Sequence, residues 1–580
     1  MRRALALALA AVLTACGDDG VRGPLGEPGH EGDPPTRGGR LRMASYTDVR
    51  SLDAAVAFDE VAHALEQLIY AKLIEFSPTG QGFEPDLAES WSVSADGKRY
   101  VFQLRRGVLF QDGSPFDASD VKRSLERSLS PDTPNPASSF FERILGYRAY
   151  VSRKAKELEG VKVEGEHVVA IELSEPDATL LAAMALPVAA PVCRSAGRAY
   201  DREFSSHACG AGPFRLRAWE PGRSVTLDRF DGYYRPGLPW LDGVDWQLGM
   251  PIFTQRFKFE SGDLDFVREL GEADLQRYVH SPLWKGRGEW EPGKAVHSFY
   301  MNTERAPFDN AELRRAVAAA IDRDQIAAIR PGSVRAATRL IPPSVVGHDP
   351  SPGQRFDYLA ALAHMKSAGF AYDPATGRGG YPREIDFVTI GGSFEQEAAE
   401  VYQQQLARIG VRIRLRTLAW SAYLAETARR GATTMGSDGW AMDYPDPSDF
   451  FEPIFHSRAI TDEDSQNRSF FRNAELDRLI DEARIETDLE KRLPLYRRAE
   501  QIVIDEAPWA LVYTKRWFEI WHPYLRGYHI HPALSEHVGF AWIDEAARRR
   551  AVSAKSALPL SRDALAARLA SWAERPRKRL

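Results

Sequence analysis

The residues best placed to hold a ligand lie in one short segment, Gly436-Ser437-Asp438-Gly439-Trp440-Ala441-Met442-Asp443-Tyr444-Pro445-Asp446-Pro447, where carboxylates are embedded among aromatic rings. Asp446 before Pro447 is more often the pattern of a turn than of a ligand. The other constellations are weaker. Gly288-Glu-Trp-Glu-Pro-Gly293-Lys294 has the spacing of a phosphate-cradling loop. However, Ala295 stands where a magnesium-holding hydroxyl is required, two glutamates would face the phosphates, and no apolar strand leads in. His529 and His531 are two apart and would share one face of a strand, with His522 and His537 nearby. No cysteine or carboxylate stands at ligand spacing beside them, so no metal is expected. A G-x-S-x-G elbow, an H-E-x-x-H helix, a paired C-x-x-C and a helix-opening G-x-G-x-x-G are all missing. The chain does not read as an enzyme, and no cofactor is expected.

The elements that would position these residues form an α/β pattern. From Arg40 onward, short apolar strands alternate with amphipathic helices, which argues for mixed sheets. Asp309-Asn310 offers an N-cap, after which Leu313, Ala316, Val317, Ala320 and Ile321 recur at helical spacing. A second helix is expected from Glu395 to Ile409, stopped by Gly410. Beyond it Val411, Ile413 and Leu415 alternate with Arg412, Arg414 and Arg416. Three arginines at period two opposite an apolar face describe a solvated strand face rather than a nucleic-acid stripe.

The ends of the chain set the compartment. Arg2 and Arg3 precede an apolar run from Ala4 to Leu13, the layout of a signal peptide. Ten helical residues rise only about 15 Å, half the hydrocarbon thickness of about 30 Å, so the run is too short to span. Leu13-Thr14-Ala15-Cys16-Gly17 resembles the lipobox of bacterial lipoproteins, which implies cleavage before Cys16 and a diacylglycerol on its thiol. The remaining two of the three cysteines, Cys193 and Cys209, are then expected to pair in an oxidising compartment. Glycine recurs every third position from Gly17 to Gly32, interleaved with Pro24 and Pro28. These triplets are too few for a collagen helix and read as a solvated tether. At the other end, Asp563 to Ala573 reads as an amphipathic helix followed by a basic tail, Arg575–Arg579.

Without residues 1–15 the chain keeps 73 basic against 81 acidic side chains, a net charge of −8, which excludes a polyanion binder. Its length suggests about three domains or lobes.

The aromatic-flanked segment resembles the G-W-x-x-D-Y-x-D-P signature of the family 5 solute-binding proteins, the oligopeptide- and dipeptide-binding proteins of ABC importers. Further stretches resemble that family in order. Ser51-Leu-Asp53, Leu68-Ile-Tyr70-Ala-Lys-Leu73 and Phe83-Glu-Pro85-Asp-Leu87-Ala-Glu89-Ser-Trp91 come first, then Asp96-Gly97-Lys-Arg-Tyr100-Val-Phe102. The most diagnostic run is Leu104-Arg-Arg-Gly107-Val-Leu-Phe110-Gln-Asp112-Gly113-Ser-Pro115-Phe116-Asp117-Ala-Ser-Asp120-Val121. Gly210-Ala-Gly212-Pro213-Phe214, Phe230-Asp-Gly232-Tyr233-Tyr234 and Met301-Asn302-Thr303 with Pro307-Phe308 complete it.

The resemblance implies a type II periplasmic binding protein fold, with two interrupted lobes closing about a hinge and a third lobe enlarging the cleft. Laid on this sequence, it gives a signal peptide at 1–15, an anchor and tether at 16–38, and lobe I at 39–85, 211–295 and 516–547. Lobe II is then 86–210, lobe III 296–515, and 548–580 a basic extension. The resemblance assigns the peptide's α-amino group to Asp443, main-chain pairing to Gly439, Ala441 and Met442, and pocket walls to Trp440 and Tyr444. Phe58 and Asp59 fall near the contact strand of the first lobe. The implied protein is a monomer on the periplasmic side of the envelope, held at the membrane by lipid alone and delivering peptides to an ABC permease. Met442 before the aspartate and the basic C-terminus depart from the pattern and leave other solutes open: a nickel complex, an opine, an oligosaccharide. A periplasmic hydrolase or sensor is the remaining alternative.

Overall fold

The computed structural model describes residues 34–556 apart from 81, 285–286 and 535–536. Cys16, the glycine triplets, the signal segment and the stretch 563–573 expected to be helical lie outside the described residues. Among those described, no helix is long and apolar enough to cross a membrane.

Three bodies of buried apolar side chains organise the chain. The first forms on a four-stranded sheet in the order Arg40–Ala44, Gly243–Gln247, Ser224–Arg229, Phe214–Glu220, whose first pair is parallel and the rest antiparallel. Alternation explains the burial of Leu41 and Met43 on one face, while Arg40 and Arg42 on the other pair with Asp245 and Asp265 at 2.8 and 2.7 Å. Helix Glu60–Ile69 lays Leu65, Leu68 and Ile69 onto this core, and Trp521, Tyr524 and Ile543 return to it from near the far end of the described chain. The last described helix, Glu545–Ser556, adds Ala547 and Ala551.

The second core lies on the antiparallel sheet Ala88–Val93, Arg99–Leu104, Val168–Glu172, Val161–Gly165. Helix Ala118–Ser128 starts with a capping box, in which Asp117 accepts from Ser119 N–H and Asp120 reaches back to Asp117 N–H. From the buried face of that helix Arg127 crosses to the loop at Asp53, and both side chains are almost wholly removed from water at 2.6 Å. The chain passes between the first two cores at Tyr70–Ala71 and again near Gly210–Gly212. Gly212 donates to Ile69 O at 2.9 Å, and a Cβ there would stand 2.7 Å from Tyr70 N, so only glycine fits the crossing. Just before it, Cys193 and Cys209 form the expected disulfide, with Cα atoms 5.4 Å apart.

The third body surrounds a six-stranded sheet, in the order Val334–Ala336, Trp509–Lys515, Ala295–Met301, Met435–Ala441, Ile385–Ile390, Ile413–Leu418. Its strand Trp509–Lys515 is apolar on both faces because both are covered: Ala510 and Val512 enter one core, Trp509 and Leu511 the other. Helices Ala311–Ala320, Tyr358–Ser367 and Phe394–Ala407 cover the first face, and Ala474–Ile485 and Leu489–Glu506 the second. Asn310 caps the first of these helices, accepting from Glu312 and Leu313 N–H. The helix expected at Glu395–Ile409 spans Phe394–Ala407, and Gly410 turns the chain at φ +77° into the strand carrying Arg414 and Arg416. These two arginines pair with Asp386 and Glu426 on the solvated side.

The second and third bodies meet at Arg484. Its buried guanidinium contacts Asp177 at 3.1 Å and Glu142 at 3.2 Å on one side and Glu452 at 2.7 Å on its own.

Candidate ligand-binding site

A cleft of about 400 Å³ opens where the three bodies converge. Phe58, Asp59 and His63 reach it from the start of helix Glu60–Ile69, and Lys72 from the first crossing between cores. Leu186 and Pro187 come from the second core, while Lys294, His297 and Ala441–Asp443 come from the third.

Asp443 is delivered by the way strand Met435–Ala441 ends. Met442 N–H still donates to Lys294 O at 3.0 Å, extending the pairing with Ala295–Met301 by one residue. The chain then turns under Asp446, whose carboxylate accepts from Ser448 N–H and pairs with Arg492 at 2.6 Å, so Asp446 serves the turn. Asp449 at the end of that turn accepts from Asp443 N–H at 2.8 Å and from the Trp440 indole N–H at 3.2 Å. The backbone of Asp443 is thereby fixed, and its own carboxylate has no hydrogen bond or ion pair among the described residues. Burial pushes its pKa up to about 7. Asp449 is shifted well above the usual carboxylate range, by burial first and then by the Asp443 charge. An uncompensated carboxylate in such a place attracts a cation, because removal from water without a partner costs several kcal/mol.

The strand leading to it also offers main-chain groups. Since Met442 is hydrogen-bonded to Lys294, the antiparallel alternation turns the N–H and C=O of Gly439 and Ala441 away from that partner. On their side the neighbouring strand Ile385–Ile390 pairs only with Met435 and Gly436 among the described residues. The Gly439 N–H is taken by Asp438, which leaves the Ala441 edge facing the cleft.

Of the residues singled out from sequence, Phe58, Asp59, Ala441, Met442 and Asp443 line the cleft. Gly439, Trp440 and Tyr444 stand behind it. Trp440 packs on the third body and steadies Asp449; Tyr444 is buried edge-on against Phe140 of the second body, ring centroids 5.4 Å apart. The pocket walls are instead Phe58, Leu186, Pro187 and Trp517. Phe58 and Asp59 precede a helix rather than lying on a strand, and Asp59 caps it by accepting from Ala62 N–H at 2.9 Å.

His63, Lys72, Lys294, His297 and Lys515 also line the cleft, none of them assigned to it from sequence. Burial lowers His63 to about 4 and His297 to about 3, so both rings are neutral at ordinary pH. Residues Gly288–Trp290 form a strand against Phe518–Trp521, so their backbone is engaged in a sheet and cradles no phosphate. His529 and His531 are not on a strand. The His531 ring is consumed by Ser77 O at Nε2 and by Ala533 and Leu534 N–H at Nδ1, while His522 stacks on Phe259 elsewhere.

Comparison with known proteins bears on the whole arrangement. The profile of the family described as "Bacterial extracellular solute-binding proteins, family 5 Middle" matches residues 82–462. Heme-binding protein A of Haemophilus influenzae is 29% identical over 491 residues, covering 80% of this chain and 85% of that protein. Glutathione-binding protein GsiB of Salmonella choleraesuis is 26% identical, covering 84% and 92%. Among solved structures, clavulanic acid biosynthesis oligopeptide binding protein 2 superposes with a TM-score of 0.80 at 24% identity, covering 90% and 99%. The oligopeptide-binding protein AppA of Bacillus subtilis, in complex with a nonapeptide, gives 0.69 at 21% identity, covering 88% and 100%. These likenesses give the fold, the type II periplasmic binding protein α/β architecture.

Proposed function

Because this chain belongs to family 5 of the bacterial extracellular solute-binding proteins, we propose that it captures peptides in the cleft at Asp443 and delivers them to the permease of an ABC importer, without catalysing a reaction. The observation carrying this reading is the Asp443 carboxylate, half-buried at the cleft with no partner among the described residues, which matches the need of a peptide's α-ammonium. The open Ala441 edge supports it, since main-chain pairing reads the peptide repeat and leaves side chains free to vary. Gly439, Trp440 and Tyr444 act here as the backing that holds Asp443 and Asp449 in place.

In this reading 39–85, 211–295 and 516–547 form lobe I, 86–210 lobe II and 296–515 lobe III. The ligand is enclosed by movement about the two segments that join lobes I and III near 291–295 and 515–517. The protein works as a monomer on the periplasmic side, tethered by lipid on Cys16 through the segment 16–38.

Native mass spectrometry of the full chain purified from cells tests the proposal. Bound masses that fragment as peptides are expected; a nickel complex, opine or oligosaccharide in the cleft would overturn the peptide assignment. In calorimetry, Asp443→Asn should weaken peptide binding by more than tenfold, about 1.4 kcal/mol or more.

A further inference from the structure

Three lysines line the cleft, and they are not equivalent. Lys294 Nζ lies 3.4 Å from a Glu291 carboxylate and donates to Leu534 O at 3.1 Å; Lys515 Nζ is 2.7 Å from Glu395. Lys72 is only 5% exposed, yet its ammonium has no hydrogen bond and no carboxylate within 4 Å among the described residues.

The local chemistry explains why. The Lys72 backbone is pinned, its N–H donating to Asp86 at 2.8 Å and its C=O accepting from Leu87 N–H at 2.8 Å. Two acids that share the chamber with Lys72 are occupied by another cation: Arg235 contacts Glu75 at 2.5 Å and Asp86 at 2.8 Å, and Tyr234 also donates to Asp86. Glu75 and Asp86 therefore temper the field around Lys72 without supplying it a contact. The side chain borders the main cleft and a side chamber of about 30 Å³, room for about one water.

The acids of the cleft show the same contrast. Glu60 and Glu291 pair with Arg268, Glu75 pairs with Arg235, and Asp59 accepts from a helix N-terminus. Asp443 stands apart from these as the unmatched anion, as Lys72 does among the cations. A buried charge without a partner is costly, and a ligand that carries both opposite charges relieves both costs in one event. The volume of about 400 Å³ lies near the lower end of the range of about 300–1,000 Å³ for small-ligand pockets, which suits a short molecule.

From this pairing of unmatched charges we infer that the cleft selects a short zwitterionic peptide, with Lys72 receiving a carboxylate while Asp443 receives the ammonium. The inference rests on the peptide reading above and adds the recognition of the acidic end.

The test uses the full chain, stripped of bound solute and incubated with three tripeptide pools: free at both ends, amidated at the C-terminus, and acetylated at the N-terminus. Retention is read by native mass spectrometry for the native protein, Lys72→Met and Lys72→Arg. Amidation should cut retention by the native protein at least tenfold, have no effect on Lys72→Met, and act again on Lys72→Arg. Acetylation should cut retention by all three. Amides retained by the native protein but lost by Lys72→Met, and enriched in Asp or Glu, would support the same site with a side-chain carboxylate as its source. Equal retention of free and amidated pools by the native protein, without that enrichment, would overturn the Lys72 assignment and leave the peptide reading standing. If the native protein retains no pool, both fall. Removing an unpartnered buried charge should not unfold the chain, and melting of Lys72→Met at or above the native temperature checks this.

Discussion

Proton linkage at Asp443 gives the sharpest check on the site. With its carboxyl raised to about 7 in the ligand-free protein, only the ionised fraction can meet an ammonium, so proton competition weakens binding about twofold at pH 7 and about elevenfold at pH 6. A peptide's own α-amino group, with a pKa of about 7.7–8.0, loses its proton on the alkaline side and weakens binding by about an order of magnitude near pH 9. Affinity should therefore peak between these two values. Calorimetry in buffers of different ionisation enthalpy should find nearly one proton released on binding at pH 6 and nearly one taken up at pH 9.

Stability carries a second and opposite signature. A carboxyl whose folded pKa exceeds its unfolded value stabilises the fold below the unfolded value, near 4, and that contribution is lost as pH rises through about 7. Three pKa units correspond to about 4 kcal/mol. Asp443→Asn removes the loss, so at pH 8 the ligand-free variant should melt above the native protein while binding peptide more weakly. An acid limb of the affinity profile that persists unchanged in Asp443→Asn would refute the assignment, as would a variant that melts lower at pH 8.

Two further predictions concern the scaffold. The Asp53–Arg127 pair is buried on both sides, so Asp53→Asn or Arg127→Met should each cost about 3–5 kcal/mol in urea unfolding, and the double change less than the sum. Cys193 and Cys209 close a span of 16 residues, worth about 3 kcal/mol on the chain-entropy model, so replacing both by serine should lower the melting temperature. A thiol titration of the unreduced protein should find neither sulfur reactive.

Much of the scaffold was legible because its signals are local. The Asn310 cap, the stop at Gly410 and the alternating arginines beyond it each follow from a few adjacent residues, and the structure carries all three. Asp443 was legible through a contiguous signature. The rest of the cleft was not, because it is assembled from segments near residues 60, 72, 186, 294, 442 and 515, which no local period relates. Lys72 looks like any surface lysine until the fold buries it and Arg235 takes the acids beside it. Aromatic neighbours of the candidate aspartate suggested walls, but Trp440 and Tyr444 have larger apolar bodies to satisfy, and burial behind the cleft satisfies them. The strand face expected for His529 and His531 is absent, and the His531 ring is spent holding a turn.

The bridge at Arg484 bears on time rather than affinity. Any opening that parts the second and third bodies separates its guanidinium from Asp177 and Glu142 while Glu452 travels with it. Once apart, all four groups are hydrated again, so the difference between end states is modest. Midway, contacts that lengthen before water enters would leave these charges uncompensated and so raise the barrier to opening. A captured solute would then be held for a residence set by this latch, and solutes of unlike affinity could share one escape rate.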